Sequence, residues 1–296
     1  MRTGAVVVSY YPDSDFSRRL RVAAEQVELL VVVDNTDDLQ AKKDIYKICR
    51  TFGVLYKNLS TNVGIAKATN VGIQELLLHG CDCILFLDQD SSLLPGAVKQ
   101  MELSLQRARD NGISVGMVCP ETHDEYLGSP KFESEKEDCE VQFAISSGAL
   151  VLADVIREIG LFVEEYFIDC VDQEYCLRVR RSGKRIIRSS SAHMLHRLGN
   201  PSKHYMCGLS FITTNHIAIR RYYIARNTVW MTKAYWPFDC VNLGIINFKL
   251  FKNIVLCLIF ESQRIAKLYS YSKGLAIGLV TPAASWENES HCMKDL

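Results

Sequence analysis

The sequence predicts an α/β fold, a mostly parallel sheet flanked by helices, followed by a C-terminal helical region. Three observations carry that expectation. Short apolar runs alternate with amphipathic stretches through the first half of the chain, as strands joined by crossover helices do. Two of those runs end abruptly in a carboxylate, at Asp34 and Asp88, and ligands of open α/β sheets collect at strand carboxyl ends. From about Phe211 the chain turns to long helical patterns rich in Tyr and Arg. The expected division is therefore a sheet domain over 1–205 and a helical region over 206–296.

Taken in order, Ala5 to Tyr10 is an apolar strand, and the Pro12-Asp13-Ser14-Asp15 turn opens a helix to about Glu25. Glu28 to Val33 is the second strand, closed by Asp34-Asn35, and a helix runs from about Asp38 to Cys49. Gly53 to Tyr56 is a short third strand. Ile65 to Leu78 has apolar residues at helical spacing and stops before Gly80. The fourth strand ends at Asp88. Pro95 starts a helix to about Asp110, and Gly112 to Cys119 is a strand. The polar, acidic stretch Glu121 to Glu140 reads as a loop. Val141 to Leu152 is strand-like, interrupted by Ser146-Ser147-Gly148, and Asp154 caps a short helix closed by Gly160.

With 296 residues, 48% of them apolar and 23% charged, the composition is that of an ordered globular protein. Lys plus Arg and Asp plus Glu number 34 each, so no global field recruits nucleic acid. A local basic patch remains at Arg178, Arg180, Arg181, Lys184 and Arg185. The eleven cysteines, and a start in which Met1-Arg2-Thr3-Gly4 leads straight into a strand, lead us to expect a reducing cytoplasm and no signal peptide. Cys81 and Cys83 have no second pair to complete a zinc site. No uninterrupted apolar run reaches the roughly 18 residues of a membrane span. The nearest, Val241 to Phe260, is broken by Lys249, Lys252 and Asn253. It reads as a buried helix pair or as a helix lying on a membrane surface.

Four stretches carry chemistry. Ile84 to Leu87 is an apolar run that ends in Asp88-Gln89-Asp90-Ser91. Carboxylates are costly beside a core unless they face solvent or a cation. Asp-x-Asp at a strand end suits a hard divalent ion that keeps phosphates in its remaining positions, although the same spacing also occurs in ordinary turns. The second stretch is Asn62 to Gly72, where Gly64 allows a close backbone approach ahead of a helix. Neither a Gly-x-Gly-x-x-Gly fingerprint nor a Walker-type loop is present. The third is Phe167 to Arg178. Glu174 and Arg178 are spaced as a surface pair worth a few tenths of a kcal/mol, whereas Asp172 either caps a helix or faces the pocket as a general base. The fourth is Ala192 to Gly199, where His196 is a structural histidine or a metal ligand.

In this order the motifs resemble the inverting family 2 glycosyltransferases, specifically the bacterial rhamnosyltransferase branch. They are Val7-Val8-Ser9-Tyr10-Tyr11-Pro12, Val33-Asp34-Asn35, the 62–72 segment, Phe86 to Ser91, and Ser146-Ser147-Gly148. Asp169-x-x-Asp172-x-Glu174-x-Cys176-Leu177-Arg178, His196-x-Leu198-Gly199 and Arg221-Tyr222-Tyr223-x-x-Arg226-Asn227 complete the series. The resemblance implies a GT-A fold, a nucleotide-sugar donor such as dTDP-rhamnose, and Mg²⁺ or Mn²⁺. It implies that Asp34 meets the base, that Asp88 meets the ribose and diphosphate, and that Asp90 and His196 hold the metal. Ser9, Asn62, Gly64, Lys67, Asn70 and Gly148 would line the donor site. Asp172 matches the second residue of the family's Glu-Asp base motif. Val171 stands where the Glu would be, which leaves Asp169 or Glu174, with Arg178, as substitutes for the supporting group.

By the same resemblance, Asp172 takes a proton from an acceptor hydroxyl that attacks the anomeric carbon in one inverting displacement. The acceptor would be a glycan or a lipid-linked oligosaccharide in surface polysaccharide synthesis. Arg221 and Arg226 would meet it from the helical region, with the chain at the inner face of the cytoplasmic membrane or in a homo-oligomer. The rival readings are a transferase using UDP-galactofuranose, UDP-galactose or UDP-N-acetylglucosamine, a sugar-phosphate nucleotidylyltransferase, and a binding scaffold without catalysis. The nucleotidylyltransferase would need a basic Gly-rich loop near its start, which residues 9–20 lack.

Overall fold

A computed structural model describes residues 1–124, 137–197, 201–206 and 208–284. Leu198 and Gly199 of the histidine motif, and 125–136 of the expected acidic loop, lie outside them. The first half folds as β1 (Thr3–Ser9), α1 (Phe16–Ala24), β2 (Leu29–Asp34), α2 (Leu39–Thr51), β3 (Leu55–Asn58), α3 (Ile65–Leu78) and β4 (Cys83–Asp88). These four strands are parallel in the order β3-β2-β1-β4. Chain order reverses across β1, so the switch point lies between β1 and β4.

Alternation along each strand builds a core on both faces. Val6, Val8, Val31, Val33, Ile84 and Phe86 pack with α3 on one side. Val7, Val32, Leu85 and Leu87 pack with Phe16 and Leu20 of α1 and with Ile45 of α2 on the other. Each such burial contributes about 1.5–3 kcal/mol, and a one-residue slip would exchange the two faces. The register is therefore firm, and it aligns Ser9 with Asp34 and Val8 with Asp88 at the same sheet edge.

The second half adds β5 (Ser92–Leu93), α4 (Ala97–Asp110), β6 (Val115–Asp124), β7 (Cys139–Val141), β8 (Leu150–Leu152), α5 (Ala153–Ile159), α6 (Val171–Arg181) and β9 (Arg185–His196). Here the sheet becomes mixed. β8 runs antiparallel to β4 and β6, β9 is parallel to β6, and β5 and β7 are antiparallel to β9. Three expectations change. The strand after Gly112 continues to Asp124. The 141–152 run is two strands with different partners, because the Ser146-Ser147-Gly148 turn separates them. Asp154 sits in the first turn of α5, paired with Arg157, and Leu152 occupies the cap position.

The C-terminal part begins with an antiparallel hairpin, β10 (Ser202–Met206) and β11 (Leu209–Thr213), which the sequence reading lacked. Its strands mix polar and apolar residues too evenly to show a core face. Helices α7 (Ala218–Tyr235), α8 (Cys240–Phe260) and α9 (Arg264–Val280) follow. α8 is long and apolar enough to cross a membrane by length and composition, with mean hydropathy 1.8 over its most apolar window. Only 22% of that window is buried, so the expectation of a buried helix pair does not hold. The shortfall read from the sequence came from counting uninterrupted residues, whereas two lysines barely lower a mean.

Candidate active site

The carboxyl edge of β4 and the far end of β9 meet at one point. β5 pairs Ser92 with Leu195, which sets Ser91 beside His196. Ligand atoms of Asp88, Asp90 and His196 lie within 4.8 Å of one another. The Ser91 hydroxyl is 2.8 Å from His196 Nδ1 and 2.6 Å from the Ser147 hydroxyl. Ser147 in turn accepts the Asp88 backbone N–H at 2.9 Å. The same Nδ1 lies 3.7 Å from an Asp90 carboxylate oxygen, so Ser91 holds the imidazole against the acidic pair. The Ser-Ser-Gly motif therefore frames the acidic pair.

Asp172 enters from the first turn of α6. The approach is a strained turn: Phe167, Asp169 and Cys170 all have φ near +60° without being glycine. Such conformations persist only where the surroundings over-determine them, and they cluster at functional sites. The Asn227 amide of α7 supplies that constraint, reaching the carbonyls of Tyr166, Ile168 and Asp169 at 2.8–2.9 Å. Burial pushes the Asp172 carboxyl up. The hydroxyl and N–H of Ser146 oppose that rise, Asp169 adds to it, and His196 counters it. Asp88 is pushed up to about 7 by burial and by the neighbouring charges of Asp90 and Asp172, with Arg220 partly offsetting them. Like charges gathered in this way favour a cation or a proton.

The other expected residues separate into walls and latches. Asp34 is fully buried and accepts from Ser9, Thr36 and Tyr56, bonds that fix its carboxylate in the pocket wall. Asn62 accepts from Asn35 and from the Gly64 N–H. Gly64, at φ +88°, lies against Phe167, where a Cβ would come within 2.6 Å of the ring. The close approach seen here is to the turn that carries Asp172. Asn70 is buried and latches Phe162 through both its N–H and its carbonyl. Gly148, at φ +85°, is enclosed by Pro120 and Met194. Lys67 pairs with Glu164 at 3.0 Å.

Three acceptor or supporting candidates have partners within the protein. Glu174 and Arg178 form a buried pair at 2.8 Å rather than a surface one, with Glu174 also accepting from Tyr235 at 2.6 Å. On α6, positions 172 and 174 point about 200° apart, so Glu174 faces the core when Asp172 faces the site. Arg221 is 2% exposed and pairs with Glu261 at 2.6 Å. Arg226 bonds the Glu165 carbonyl and lies 4.1 Å from the Trp230 ring centroid. The cation beside the site is Arg220, which the sequence reading missed; it holds Asp169 through two bonds at 2.6 and 3.1 Å. Gln89 was missed as well, and its amide closes on the Tyr10 backbone at 2.6 and 3.0 Å across the switch point.

No family model matches the chain. Among curated proteins, dTDP-rhamnosyl transferase RfbF of Shigella flexneri is 31% identical over 236 residues, 75% of this chain and 77% of the relative. The chain belongs to the family 2 glycosyltransferases. Solved structures agree on the fold of this transferase. S. aureus TarS superposes with TM-score 0.59 at 14% identity, over 88% of this chain and 44% of TarS. TarS 1–349 in complex with UDP superposes with TM-score 0.57 at 15% identity, over 88% and 72%. GalNAc-T7 with UDP, GalNAc and Mn²⁺ gives 0.58 at 12%, over 80% and 48%. The glycosyltransferase thus spans less than half the length of the full TarS chain, and it has the GT-A fold that the motifs implied.

Proposed function

We propose that this glycosyltransferase moves an L-rhamnosyl group from dTDP-rhamnose to a hydroxyl of a glycan or lipid-linked acceptor, with inversion and with a divalent cation. The carrying observation is the convergence of Asp172 on the Asp88, Asp90 and His196 cluster. The choice of sugar rests on the similarity to the Shigella flexneri transferase. The donor set, two carboxylates and an imidazole, fits Mg²⁺ or Mn²⁺, and the raised Asp88 carboxyl marks a site short of positive charge. A bound cation would supply charge to offset the departing diphosphate.

The chain's own residues do the rest. Asp172, ionised, accepts the proton of the acceptor hydroxyl. The oxygen then bonds to the anomeric carbon as the bond to the diphosphate oxygen breaks, and the single displacement inverts that centre. Ser146 holds the Asp172 carboxylate, and Asn227 holds the turn that carries it. Arg220 leaves a positive charge facing Asp88 from the helical side. The region after 206 forms the acceptor side in this reading. A reducing, cytoplasmic setting accords with the nine free cysteines among the described residues.

The test is a thermal-shift panel with Mn²⁺ and dTDP-rhamnose, UDP-galactose, UDP-galactofuranose and UDP-N-acetylglucosamine. A ligand at 100 times its dissociation constant adds about 2.7 kcal/mol of stability. We expect a cation-dependent shift with dTDP-rhamnose. A shift with a UDP-sugar alone would overturn the donor assignment.

A further inference from the structure

We propose that the outer face of α8 docks on an anionic bilayer surface, lying along it without crossing. The helix has two unlike sides. Leu243, Leu250 and Cys257 are buried against α7 and α9. The opposite side exposes Val241, Ile245, Phe248, Phe251, Val255 and Ile259, at the spacing of one helical stripe. Phe248 is 67% exposed and Phe251 64%, an unusual amount of aromatic surface to leave in water.

Charge selects the partner. Between 201 and 284 Lys and Arg number ten, and Asp and Glu number two. Those two, Asp239 and Glu261, are both buried and paired with basic side chains. Among the described residues the helical layer therefore shows water no carboxylate, although the whole chain is neutral. Lys249 and Lys252 stand on or beside the apolar stripe, and Arg264 and Lys273 are exposed on α9. Apolar residues bordered by cations, without anions, match an interface of acyl chains and anionic headgroups.

The same residues argue against a span. Lys249 and Lys252 lie mid-helix, where hydrocarbon would be deepest and a charge is most costly. The other side of α8 is fixed to the protein by Asn247 on Thr232 at 2.8 Å and by Asp239 on Arg180 at 2.5 Å. Arg180 belongs to α6, the helix that carries Asp172. Docking through α8 would therefore set the orientation of the active site relative to the bilayer.

Vesicle co-sedimentation of the full chain tests this without any donor, so its result is independent of the sugar assignment. The vesicles are phosphatidylcholine alone, or with about a third phosphatidylglycerol to give a negative surface. We expect pelleting with the anionic vesicles only. Phe248→Ser/Phe251→Ser should remain in the supernatant. Lys249→Ala/Lys252→Ala should bind about 30-fold more weakly, from roughly fivefold per charge. Circular dichroism melting checks that both variants stay folded. Wild-type protein that stays in the supernatant, or either variant binding as wild type does, overturns the proposal. So does a wild-type dimer in sedimentation velocity that Phe248→Ser/Phe251→Ser converts to monomer, since a second copy would then cover this face.

Discussion

Two groups of charged side chains in this protein obey opposite rules. At the sheet edge, Asp88, Asp90 and Asp172 are brought together, and Asp88 is pushed up to about 7 by burial and by its acidic neighbours. In the helical layer, Glu261 lies between Arg221 and Lys267, at 2.6 and 2.8 Å, and is held below the usual carboxylate range by those two cations against the opposing effect of burial. Glu174 is matched in the same way by Arg178 and Tyr235. Paired charge maintains the fold, and unpaired like charge awaits a cation and a substrate. Removing a carboxylate should therefore have opposite consequences in the two regions.

The largest effect is expected at Asp172→Asn. Loss of a general base costs on the order of 10²- to 10⁴-fold in rate, and donor binding by calorimetry should persist. A normal turnover rate would remove Asp172 from its role. Next comes Glu261→Gln, which leaves Arg221 and Lys267 buried against a neutral group. Breaking a buried pair costs roughly 3–5 kcal/mol, read as a lowered urea midpoint, with kcat of the surviving folded fraction little changed. Its depressed pKa adds a sign: the stabilisation is present above pH 4.5, the carboxyl's ordinary value, and is lost as pH falls through the lower folded value.

A smaller effect is expected at Ser91→Ala, which frees the His196 ring. Partners of metal ligands typically contribute about 10- to 100-fold in affinity, so Mn²⁺ binding should weaken in that range while the melting temperature holds. The smallest, and opposite in sign, is Asp88→Asn in cation-free protein. A folded value of about 7 exceeds the ordinary carboxyl value of 3.8, so the native state binds more protons and stability falls as pH rises between the two. Asp88→Asn should therefore raise the melting temperature at pH 8 by on the order of 2 °C or more, and leave it nearly unchanged at pH 4. A lower melting temperature at pH 8 would mean that Asp88 is paired as Glu261 is.

The active edge was legible because its signals are local. An apolar strand that stops at Asp88 announces its own end, and the Ser-Ser-Gly, Asp172 and His196 motifs each read within a few consecutive residues. What escaped the reading depends on direction and on distant partners. Adjacent helical residues point about 100° apart, so nothing local decides that Arg220 faces Asp169 while Arg221 turns into the core. Glu174 looked like a surface residue because Tyr235, which buries it, lies 61 positions away. Asn70 and Gly148 sit in binding-like motifs, yet they serve packing contacts with Phe162, Pro120 and Met194 that sequence spacing does not reveal. Asn227 acts on a turn some 60 positions upstream, a partner that its own motif does not reveal.

The most direct test of the contrast is calorimetric binding of dTDP in Mn²⁺ and in EDTA, for wild type, Asp90→Asn and Glu261→Gln. The acidic edge as cation and nucleotide site predicts tight binding by wild type in Mn²⁺, strong weakening in EDTA and in Asp90→Asn, and near-normal affinity in folded Glu261→Gln. Binding of dTDP that neither EDTA nor Asp90→Asn disturbs would contradict it.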